Sequence, residues 1–190
     1  MTKAEIQFVR SLADKRTRDE EHLFIAEGDK LIAEIIASGW KIRHLYALEG
    51  HFEGHAEQVS PKEMERLSQL KTASTSLAVV EQPRHKTPAT ASAEQLALAL
   101  DGVQNPGNLG TIIRLADWFG VEDIYCSEDT ADCFNPKVVQ ATMGAILRVR
   151  VHYLPLADFL RRTAESGVAV YGTMLDGDNI YDAKLQPNGV

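Results

Sequence analysis

A strand–turn–helix unit in the middle of the chain limits its folding choices more than any other segment. The apolar strand Leu96–Val103 runs into the turn formers Gln104-Asn-Pro-Gly-Asn-Leu-Gly110, and these lead straight into an amphipathic helix. Leu109, Ile112, Ile113, Ala116 and Phe119 form one apolar stripe at helical spacing, and Gly120 ends it. Asn108 falls at the expected N-cap, with Arg114 a turn and a half further in. An amide and a guanidinium are thereby predicted at the carboxyl end of a central strand, where open α/β sheets bind ligands. Neither residue is needed to build the unit, and Arg114, beside Ile112 and Ile113, must reach round the stripe.

The rest of the second half repeats this alternation. Strands are predicted at Val121–Cys126, Arg148–Tyr153 and Val168–Tyr171, with helices at Pro136–Ile146 and Leu156–Ser166. Such alternation implies right-handed crossovers and a parallel sheet. The first half reads as a small α/β layer. Thr2 with Glu5 forms a capping box, Asp29 caps a helix that stops at Gly39, and Ser60-Pro61 opens another. Strands are expected at Leu23–Ile25, Ile42–Ala47 and Leu77–Val80. The stretch Pro83–Ala93 has two prolines, small residues and no apolar periodicity, so it reads as a linker. The expected organisation is therefore a domain over 1–82, a linker over 83–93 and a second domain over 94–190.

Composition narrows the function. A chain of 190 residues with 44% hydrophobic and 25% charged residues suits a globular protein with a real core. No apolar run approaches a membrane span, and the first residues lack the core of a signal peptide, so no membrane partner and a cytoplasmic location are expected. The net charge of −7 argues only weakly against nucleic acid, because local clusters of Lys and Arg decide binding. Cys126 and Cys133 match no zinc spacing and read as reduced thiols. His51 and His55 are four apart, but Gly50 and Gly54 argue against a helix between them, so no metal is expected. Neither GxGxxG nor GxxxxGK[ST] occurs.

The run Asn105-Pro-Gly-Asn-Leu-Gly-Thr-Ile-Ile-Arg114 resembles the first motif of SpoU-type RNA 2′-O-methyltransferases, in the SPOUT superfamily. Asn135-Pro-Lys-Val-Val139 and Ala141-Thr-Met-Gly-Ala145 continue the resemblance, and Leu12–Arg18 with Phe24–Gly28 resembles the opening of the family's RNA-binding module. The resemblance implies methyl transfer from S-adenosylmethionine to a ribose 2′-hydroxyl, ribosomal RNA being favoured over transfer RNA, in a homodimer. It assigns Asn108 and Arg114 to catalysis and Thr173, Met174 and Leu175 to the cofactor. Guanidinium deprotonation is hard to justify, so Arg114 is expected to act electrostatically, with Asn108 orienting it or the substrate. Lys15, Arg16, Arg18 and Lys137 are candidate RNA contacts, while Arg84, His85 and Lys86 in the linker are expected to be solvated. Trp118 is expected to pack on a dimer or core surface. The family's C-terminal trefoil knot carries a Gly/Glu strand end and a Ser-Leu-Asn segment. Neither occurs in this sequence, so the knot is expected to be truncated. A non-catalytic RNA-binding module that keeps the front of the fold is the alternative, and an unrelated phosphate-binding α/β protein is a third.

Overall fold

A computed structural model describes residues 1–190 as two sheets with helices packed on them. The first sheet has the order β1-β4-β2-β3, from β1 (Leu23–Glu27), β2 (Ile42–Ala47), β3 (Glu57–Gln58) and β4 (Ser76–Glu81). Strand β4 runs antiparallel to both β1 and β2, and its first five residues are buried. Around this sheet lie α1 (Lys3–Ser11), α2 (Lys15–Glu21), α3 (Asp29–Ser38) and α4 (Pro61–Leu67). Both capping boxes form, Thr2 with Glu5 and Ser60 with Glu63. Helix α2 was not expected. It forms because Asp14 accepts the Arg16 and Thr17 amides, and because Lys15–Asp19 and Arg16–Glu20 pair at i,i+4. Asp29 does not cap α3 as expected: Gly28 holds that position without a side-chain bond, and Asp29 instead accepts from Thr75 and Ser76 and meets His51 at 2.6 Å.

The second sheet is parallel, ordered β5 (Leu98–Leu100), β6 (Asp123–Cys126), β7 (Arg150–Tyr153), so β6 is central and β5, expected to be central, is an edge like β7. Its helices are α5 (Pro106–Trp118), α6 (Pro136–Thr142) and α7 (Leu156–Glu165). Several elements are shorter than expected, β5, α6 and β7 among them. Strand β5 stops before Gly102, which turns with φ +63. Helix α6 stops at Thr142 because Met143 and Gly144 take positive φ, and a 3-10 turn over Ala145–Leu147 then delays β7 to Arg150. The expected strand at Val168–Tyr171 joins neither named sheet. Its backbone pairs with Val190 instead, Tyr171 N–H to Val190 O at 2.8 Å and Val190 N–H to Ala169 O at 3.0 Å. Gly189 bonds on its other side to Gln95 and Ala97, so Gly189–Val190 lies between residues 95–97 and 169–171.

The two sheets share apolar packing. Val139 of α6 is buried in one core with Phe24, Ile32, Ile35 and Val80, while its neighbour Val138 is buried in the other with Leu109, Ile113 and Ile124. Phe134 packs on Phe24, the tilted rings 5.0 Å apart. One ion pair crosses the same boundary. Arg18, only 1% exposed, gives Nε and Nη2 to Asp132 at 3.0 and 2.6 Å and Nη1 to the Leu12 and Ala13 carbonyls. This corrects its assignment to RNA: the guanidinium is consumed inside the protein. No helix is long and apolar enough to cross a membrane. Both thiols are buried, and burial pushes Cys126 up to about 12 and raises Cys133 as well.

Arg18→Ala leaves Asp132 nearly buried without its charge partner, so chemical denaturation should show a loss of about 3–5 kcal/mol. Neither cysteine should react with Ellman's reagent at pH 8 until denaturant is added, because the thiolate is the reactive form.

Candidate active site

Helix α5 presents the candidate residues, and its start is set by Asn105. The Asn105 side chain accepts the amides of Gly107 at 2.9 Å and Asn108 at 3.1 Å, and Pro106 fills the first helical position, where no N–H is required. Asn108 is therefore not the cap. It is the third helical residue, with an exposed side chain and a backbone N–H held by Asn105. The Asn-Pro pair was the signal available in the sequence, and the cap belongs three residues earlier than expected.

The inner face of α5 is fixed by burial of Leu109, Gly110, Ile113 and Ala116. At Gly110 the helix comes so close to α6 that a Cβ would sit 2.4 Å from that of Ala141. This contact seats α5 and points Thr111, Arg114, Leu115 and Trp118 outward. Arg114 lines an open cleft of about 390 Å³ with Thr111, Trp118, Thr142 and Met143. With 3.6 residues per turn, Asn108 lies about 120° round the axis from Arg114 and about 9 Å along it. The two side chains do not bond, so within one chain Asn108 does not orient Arg114.

Arg114 is exposed and makes no ion pair. The acid best placed to capture it is Asp117, one turn on, but Asp117 is gripped by Arg148 through Nε at 2.8 Å and Nη2 at 2.7 Å. Hydrogen bonding to Asp117, against some desolvation, raises the Arg148 pKa. Arg148 also reaches Glu34 at 3.4 Å. The local carboxylates are thus occupied, and the Arg114 charge stays free for an anion. Around it lies an unusual amount of uncovered apolar surface: Trp118 is 83% exposed, Phe119 74% and Met143 68%.

The loop that feeds α5 is clamped from the neighbouring strand end. Ser127 Oγ accepts the Gly102 amide at 2.8 Å, donates to Asp129 at 2.6 Å and lies 3.0 Å from the Thr130 hydroxyl. Backbone bonds from Ser127 to Leu100 and from Ala131 to Val103 complete the clamp. Tyr153 extends it across β7, donating to the Ala131 carbonyl and accepting the Cys133 amide. Burial raises the Tyr153 pKa, so its hydroxyl stays a donor. Nothing in the sequence flagged these residues, because Ser, Thr and Tyr at strand ends are ordinary.

The remaining candidates lie apart. Lys137 is exposed in the first turn of α6, its amide held by Asn135. Lys15 and Arg16 are exposed but paired on α2. Thr173, Met174 and Leu175 are exposed outside any helix or strand, and they do not line the Arg114 cleft. His51 is bonded to Asp29, and no group of three or more His, Cys, Asp or Glu gathers to hold a metal.

Residues 95–190 match the SpoU rRNA Methylase family, and residues 3–86 match the MRM3-like substrate binding domain. A 23S rRNA (guanosine(2553)-2′-O)-methyltransferase of Bacillus subtilis is 29% identical over 179 residues, covering 90% of this chain and 71% of that relative. A solved TrmH-family chain from Porphyromonas gingivalis is 35% identical with a TM-score of 0.85, covering 98% of this chain and 76% of the other. An AdoMet-bound rRNA methyltransferase from Sinorhizobium meliloti is 30% identical with a TM-score of 0.75, covering 88% of this chain and 68% of the other.

Asn105→Ala removes the two cap bonds of α5. Stability should fall by about 1 kcal/mol, and hydrogen exchange should accelerate at the Gly107 and Asn108 amides before it does elsewhere in the helix.

Proposed function

This chain belongs to the SpoU rRNA methylase family, and we propose that it methylates ribose 2′-hydroxyls of ribosomal RNA with S-adenosylmethionine. The observation that carries this reading is the unpaired Arg114 guanidinium, held on a capped and closely packed helix at the mouth of an open cleft. Arg114 binds an RNA phosphate in its planar fork and stabilises negative charge as the hydroxyl oxygen gives up its proton. A guanidinium that makes no internal pair does this without first breaking one. Asn108, exposed on the first turn, contacts the RNA rather than Arg114.

Bound S-adenosylmethionine supplies a methyl group already activated on a sulfonium, so the reaction calls for no metal. Thr173, Met174 and Leu175 would hold it. Met174 is 80% exposed and Leu175 fully so, apolar surface that the chain's own cores leave free and that suits an adenosyl group. Lys15, Arg16 and Lys137 give the RNA further cationic contacts, with salt-dependent affinity. A second copy of the chain covers Leu115, Trp118, Phe119 and Met143, placing Arg114 beside a subunit boundary. Residues 1–82 act as the RNA-binding unit and 94–190 as the methyl-transfer unit, in the cytoplasm.

In the dimeric enzyme with ribosomal RNA and tritiated S-adenosylmethionine, Arg114→Ala should lower turnover by about 10²–10³-fold while leaving cofactor affinity within a few-fold. Arg114→Lys should not restore it, since a lysine lacks the fork. Unchanged turnover in Arg114→Ala would remove this residue from the mechanism.

A further inference from the structure

A second cleft, of about 240 Å³, lies where the linker crosses the outer edge of β7. We infer that it takes one unstacked nucleotide of the RNA, its base against Trp40 and Phe134 and its phosphate on Arg84; the inference rests on the RNA reading above.

Charge is the first argument. The chain has 27 acidic residues, yet this cleft is lined by none, and its free cation is Arg84; His152 is buried and bonded to Asp123 at 2.8 Å, and desolvation holds the His85 imidazole below its usual pKa. The neighbouring clefts differ: one carries Glu27, Asp29 and Glu34, a second Asp19, Glu128 and Asp132, a third Asp123, and the Arg114 cleft carries Asp117. Arg84 is exposed and forms no ion pair, whereas Arg18, Arg148 and Arg150 are all consumed by carboxylates. An arginine with no carboxylate beside it attracts anions in general, and the second argument selects among them.

That argument is the aromatic wall. Trp40 and Phe134 both pack on the buried Phe24, edge-on at 6.1 Å and tilted at 5.0 Å. Phe24 supports both rings from behind, and each is only half-buried, which leaves ring surface to the cleft. Single-stranded RNA is read by stacking unpaired bases on aromatic rings while cations hold the phosphates. The volume falls below that of common whole-ligand pockets, so it suits one base and excludes a duplex.

The test uses the full chain labelled with fluorotryptophan, whose two fluorine resonances are assigned from Trp40→Phe. A short single-stranded RNA should shift the Trp40 resonance saturably, and Arg84→Ala, on the exposed linker, should weaken that titration about tenfold. Adenosine monophosphate added alone distinguishes a free nucleotide from an RNA chain as the occupant; a shift with it or only with RNA fits the site. RNA that binds while the Trp40 resonance stays still overturns this inference and leaves the RNA reading standing. A Trp40 shift that Arg84→Ala leaves untouched, or one produced by S-adenosylhomocysteine and not by RNA, overturns it too. Absence of any RNA binding overturns both readings.

Discussion

The two halves of this molecule meet on α6. Its consecutive residues Val138 and Val139 are buried in different cores, one under the parallel sheet and one under β1 and β4. On a third side Ala141 meets Gly110, a contact with no room for even a methyl group. A seven-residue helix has little stability of its own in water. Tertiary burial holds it, and each fully buried valine contributes about 1.5–3 kcal/mol. Because α5 sits directly on α6, the position of Arg114 depends on both cores at once. The buried Arg18–Asp132 pair adds a polar tie between the same two halves.

Much of the fold was legible in the sequence for local reasons. The capping box at Thr2, the cap at Ser60 and the Leu109, Ile113 and Ala116 part of the α5 stripe are properties of short windows and appear where expected, whereas Phe119, assigned to that stripe, lies beyond the helix and is exposed. What was not legible was long-range. Lys15–Arg18 reads as a basic patch in one dimension, but Arg18 turns inward to an aspartate more than a hundred residues away. One miss was local: the cap of α5 is Asn105 and not the expected Asn108, because the Asn105 side chain reaches the Gly107 and Asn108 amides. The fourth strand of the expected sheet failed because its partner is not β7 but the last residues of the chain, a pairing without any local trace.

The electrostatics resolve an apparent conflict. A net charge of −7 suggests a poor partner for RNA, yet what matters is which cations remain free. Arg18, Arg148 and Arg150 are held by Asp132, Asp117 and Asp123, and those same bonds remove the acids nearest the candidate surfaces. Arg114, Arg84 and Lys137 are left without carboxylate partners and outward-facing. Internal pairing thus sharpens the surface pattern that formal charge conceals.

The threading of Gly189–Val190 between residues 95–97 and 169–171 bears on the segment 172–187, which carries Thr173, Met174 and Leu175. Main-chain bonds tie that segment down at both extremities, making it a tethered ring and not a dangling arm. Restraining a peptide's two ends removes much of its freedom in advance, so a small molecule that orders it has a smaller entropic penalty to overcome. The same stitch joins stretches far apart in sequence, and such long-range closure is among the slower steps a chain can make.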